Sequence, residues 1–143
     1  MKHLVIFLFL TLNFNLTAQT ADYAGTYNLH LEGKDGSILD YKLLLNNDST
    51  FQFTSFQKLI DIRGEHDKYN YGKGTWMVEN KIIKFTSNAS DIDEKYTMNF
   101  TGTTARLLKK SPRDTSDKIV PTALQFYKSD ISWIANLKLL LQQ

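Results

Sequence analysis

Histidines, carboxylates and hydroxyls are the groups in this chain that could carry chemistry, and their spacing argues against most of it. Beyond His3, histidine stands only at 30 and 66. His66 is flanked by Glu65 and Asp67, but successive side chains of an extended segment point to opposite sides, so these three do not converge on one cation. No His-Glu-x-x-His pair, glycine-rich phosphate loop or nucleophile elbow occurs. The carboxylates are spread over polar turns, with no spacing that would set two of them across a glycosidic bond. These residues predict a chain that is not an enzyme and holds no metal and no cofactor. Arg106, Lys109, Lys110 and Arg113 form the densest basic group and read as a solvated strand end. With 17 basic and 15 acidic residues and a formal charge of +2, the chain has no single-sign field and no nucleic-acid partner is expected.

The other candidates are aromatic. Tyr41, Phe53, Trp76, Phe85, Tyr96 and Phe126 each fall on the apolar side of an alternating run, and 13% of the chain is aromatic. Either they line a cavity that takes a small apolar or amphipathic ligand, or they fill a solid core. Their bulk favours a filled interior. Trp76 is expected among the most buried residues of all.

The elements that position these rings read as strands. Tyr71 to Thr86 is a hairpin: Trp76 and Val78 share one face of its first arm, Ile83 and Phe85 one face of its second, and Asn80 suits the tight turn between them. Alternation also marks strands over 23–31, 37–46 and 50–56, with Phe51 and Phe53 inward, and over 94–100, where Tyr96, Met98 and Phe100 share a face. Two more follow at 105–110 and 122–129, the second with Leu124 and Phe126 inward. Residues 57–73 break the alternation and read as a long charged loop with a helical turn at 58–63, suited to be a lid. The excursion 111–121 contains both prolines. In the tail, Ile131, Ile134, Leu137 and Leu141 recur at helical spacing behind Ser129, which predicts a C-terminal helix, a ninth strand being the alternative. The fold class is all-β, an antiparallel up-and-down meander of about eight strands that closes into a barrel, because closure removes exposed edges.

Lys2, the apolar run through Leu12 and the small residues ending at Ala18 read as a signal peptide, too short to span a bilayer. The domain organisation is then a leader over 1–18 and one domain over 19–143. With no cysteine there is neither a disulfide nor a lipid-bearing thiol, which fits a bacterial extracytoplasmic protein, periplasmic or secreted.

Tyr23-Ala24-Gly25-Thr26-Tyr27-Asn28-Leu29 resembles the opening aromatic-x-Gly-Thr-aromatic-x-Leu strand of lipocalins and fatty-acid-binding proteins. The resemblance implies a small lipocalin-like barrel. Two features depart from it: the turn at 33–36 leads straight into the next strand, and Gly74-Thr75-Trp76 lies mid-chain. The chain is similar, more loosely, to the N-terminal domain of envelope-stress lipoproteins linked to copper, whose cysteines it lacks. The expected function is an exported binding module for a small apolar or amphipathic ligand. The alternative is an envelope-accessory or protein-interaction domain with a filled barrel and an envelope protein as its partner.

Overall fold

The computed structural model describes residues 20–143, and the expected leader over 1–18 lies outside them. Eight strands, β1 (Gly25–Glu32), β2 (Ile38–Leu45), β3 (Thr50–Asp61), β4 (Gly64–Glu79), β5 (Ile82–Thr86), β6 (Thr104–Leu108), β7 (Ala123–Lys128) and β8 (Lys138–Leu141), form a closed barrel in chain order. Each pairs antiparallel with the next, and β8 pairs with β1 through Tyr27 opposite Leu141. Up-and-down order puts the connections after β1, β3, β5 and β7 at one end of the barrel and the other connections at the opposite end.

The β4–β5 hairpin shows why local sequence suffices in places. Asn80 and Lys81 adopt φ of 52° and 64°, the left-handed pair that matches the twist of a two-residue hairpin. That turn sets Trp76 opposite Phe85 and Val78 opposite Ile83. Trp76 is 2% exposed, and its Nε1–H donates to the carbonyls of Thr50 (3.0 Å) and Asn46 (3.2 Å), so the indole also fastens the β2–β3 turn.

Three expectations are corrected. Residues 57–73 are neither loop nor helical turn: β3 runs to Asp61 and β4 restarts at Gly64, with Asp61 opposite Gly64. This part of the hairpin extends past the core, so neither face is covered and no burial imposes an apolar–polar rhythm there; residues 59–69 are all exposed. Residues 94–100 do not form a strand and contribute one isolated bridge, Met98 with Gly72. Asp93 ends the regularity by accepting the backbone N–H groups of Lys95 (2.9 Å) and Tyr96 (2.7 Å).

No C-terminal helix forms over 129–143. Ile134 N–H bonds to the carbonyl of Ile131, and Leu137 N–H to that of Ile134, both at 3.0 Å; these are successive three-residue turns. They reproduce helical spacing without the helix. Asn136, at φ 71°, then swings the chain into β8, which satisfies the edges of β1 and β7 that a helix would leave open.

Candidate binding surface

The interior is built from rings. Phe51, Phe53, Phe85, Phe100 and Phe126 are all buried. Phe100 lies 5.1 Å from Phe51 and 5.3 Å from Phe53, and Phe85 lies 5.4 Å from Phe126, centroid to centroid. Phe100 comes from the irregular segment between β5 and β6 and occupies the barrel as a plug. Gly72 makes its seat, since a Cβ there would meet the Phe100 ring at 2.4 Å. Ser87 holds it in place: its Oγ accepts the Phe100 N–H (3.1 Å) while donating to the carbonyl of Lys73 (2.9 Å). At the end of the barrel Trp133, 39% exposed, lies 5.9 Å from Tyr41 and 6.1 Å from Phe53.

Of the aromatic candidates, Tyr41, Phe53, Trp76, Phe85 and Phe126 belong to this one core cluster. Tyr96 does not. The turn at Asp93 carries it outside, where its ring lies 5.9 Å from Tyr71. It ends a row of rings on the outer surface: Phe56 is 4.9 Å from Tyr69, and Tyr69 is 6.2 Å from Tyr71 with the two planes 4° apart. Phe56 and Tyr69 are directly opposite across β3 and β4. Alternation then puts Tyr71 on the same outer side. Lysines hold the far end: Lys73 Nζ lies 4.4 Å from the Tyr96 ring centre, and Lys95 Nζ lies 4.8 Å from that of Tyr71.

Phe56 also borders a groove of about 350 Å³ over the outer faces of β1, β2 and β3. Asn28 and His30 reach it from β1, Asp40 and Lys42 from β2, and Thr54 from β3. His30 and Asp40 are directly opposite and paired through Nδ1, so His30 turns its other ring nitrogen away from the carboxylate. Asn28 is less settled, because its Oδ1 is buried without a hydrogen-bond partner.

Charge on this side is largely self-compensated. Lys73 pairs with Asp93 at 3.4 Å and Lys58 with Glu65 at 3.1 Å. At the hairpin tip the Asp61 carboxyl is held down to about 2, chiefly by hydrogen bonds from the Arg63 side chain and backbone, with His66 adding to the effect. Asp93 is also lowered, first by the Tyr96 N–H. Among the described residues no group of three or more His, Asp or Glu side chains gathers as a cation site.

The outer row escapes a reading of the sequence that treats 57–73 as loop, because faces can be assigned to Tyr69 and Tyr71 only once β4 is known to start at Gly64. Their spacing of two was the available signal. No protein family, curated protein or solved structure matches this chain.

Proposed function

We propose that this chain is an exported, lipocalin-like, non-enzymatic binding module that works from its outer surface, with its barrel interior serving as structural core. The observation that carries this reading is the Phe100 plug: a ring from outside the sheet fills the space in which a lipocalin-type barrel would carry its ligand. The row Phe56–Tyr69–Tyr71–Tyr96 and the adjoining groove are then the aromatic surface left for a partner. Tyr69 is half open to solvent and the other three rings are partly so, as on recognition surfaces, where one side of a ring is apolar and the other wet.

A photo-crosslinking residue at position 69, in protein made by its own host, tests this. A discrete adduct is expected from position 69 and none from position 77, which is exposed on the same strand but away from the row. Monomer alone from both positions would contradict the reading. Fractionation of the host should find the mature chain, beginning after Ala18 or within a few residues of it, outside the cytoplasm.

A further inference from the structure

We propose that the outer face of β1 to β4 binds a neutral, hydroxyl-rich oligosaccharide, which runs from the Asn28–Lys42 groove onto the row of rings. The inference rests on the outer-surface reading above and names its ligand. Three observations carry it together. The row is continuous, each ring within 4.9 to 6.2 Å of the next, and Tyr69 is 54% exposed. A ring face carries partial negative charge that attracts the C–H groups on the flat side of a pyranose.

The groove beside Phe56 offers the second half of sugar chemistry, since the His30–Asp40 pair, the Lys42 ammonium, the Thr54 hydroxyl and the Asn28 amide supply both donors and acceptors to hydroxyl groups.

Charge then selects among ligands. A polyanion needs a surplus of cations along its path, whereas Lys58 and Lys73 are each paired with a carboxylate, Lys42 shares the groove with Asp40, and Lys95 is set against the Tyr71 and Tyr96 rings. A neutral chain encounters no such conflict.

Titration calorimetry of the mature protein with soluble cello-, malto-, xylo- and manno-oligosaccharides, and with heparin as the anionic arm, tests the proposal. Binding of at least one neutral series is expected, with Kd on the order of 10 μM to 1 mM for a shallow open site. Tyr69→Ala should weaken it about tenfold, the scale of losing one stacked ring. Asp40→Asn should also weaken it, and Met77→Ala should leave it unchanged. Because Tyr69 is exposed, its variant should melt like the parent. Silence across the neutral panel, equal binding by Tyr69→Ala, or binding confined to heparin and abolished by salt would each overturn the proposal.

The position-69 adduct separates this failure from failure of the underlying reading. An adduct that is protein and resists periodate overturns the saccharide alone. Absence of any adduct removes the outer-surface reading as well.

Discussion

At Trp76 packing and hydrogen bonding can be separated by substitution. The ring is almost wholly buried and its N–H holds two carbonyls of the β2–β3 turn. Trp76→Ala should therefore cost about 3–5 kcal/mol, whereas Trp76→Phe keeps much of the burial and should cost about 1–2 kcal/mol for the lost donor. Denaturant midpoints compare the two; a Trp76→Phe variant as stable as the parent would mean that the indole N–H contributes nothing. Acid and alkali act on different residues. Asp61 falls from 3.8 to about 2 in the fold, so its contribution is present above 3.8 and fades as pH drops from there towards 2. Nuclear magnetic resonance of the Arg63 and His66 side chains should show the hairpin tip loosening in that window, and Asp61→Asn should show it already loose at neutral pH. Tyr27 is pushed up from 10.0 to about 12, mainly by burial and then by Tyr23, and its hydroxyl donates to the Tyr23 carbonyl at 2.6 Å. Its neutral form is the one the fold prefers, so this contribution is complete below pH 10 and lost as pH rises towards 12. Tyr27→Phe should flatten that part of the alkaline stability curve.

Among the elements, the long strand β4 has two glycines with different duties. A Cβ on Gly72 would meet the Phe100 ring at 2.4 Å, while one on Gly74 would stand 2.0 Å from the Thr86 carbonyl oxygen. A ring can shift and a backbone carbonyl in a paired strand cannot, so Gly74→Ala should destabilise more than Gly72→Ala, which should cost about 1–3 kcal/mol by overpacking. Combining Gly72→Ala with Phe100→Leu should cost less than the two single changes added, because the smaller side chain relieves the clash. The last strand matters for a different reason. Removing residues 138–143 would free the edges of β1 and β7, and the truncated chain should elute as oligomers or aggregate in size-exclusion chromatography. Where a strand has one covered face, as in the arms around Asn80, its register could be read from alternation alone. The extension of β3 and β4 could not be, since Leu59, Ile60 and Ile62 are exposed there and no face selects apolar residues. The tail misled for an equally physical reason: turns that bring Ile131, Ile134 and Leu137 to the core cluster space them as a helix would.

For the molecule as a whole, the closed all-β meander was legible because closure follows from many short alternating strands joined by tight turns. The placement of function was not. Side-chain bulk favours the filled interior, and alternation sets Phe100 on the face of Met98, where both are buried although no strand forms there; the seat of Phe100 against Gly72 and the packing of Trp133 on Tyr41 and Phe53 are long-range contacts that alternation does not give. Tyr96 shows the same limit in reverse: two residues before Met98 it should share the inward face, but the turn at Asp93 sends it outside. The chain's own rings thus occupy the interior. Titration of the mature protein and its Phe100→Ala variant with a fatty acid, followed by tryptophan emission, probes that filling, since Trp133 sits on Tyr41 and Phe53 at the end of the barrel. The parent should remain silent while the variant, with a cavity opened beside Phe53, the ring that Phe100 and Trp133 both touch, gains a saturable site. Saturable one-to-one binding by the parent, with a shift in emission, would mean that the interior is open and return it to the role of ligand site.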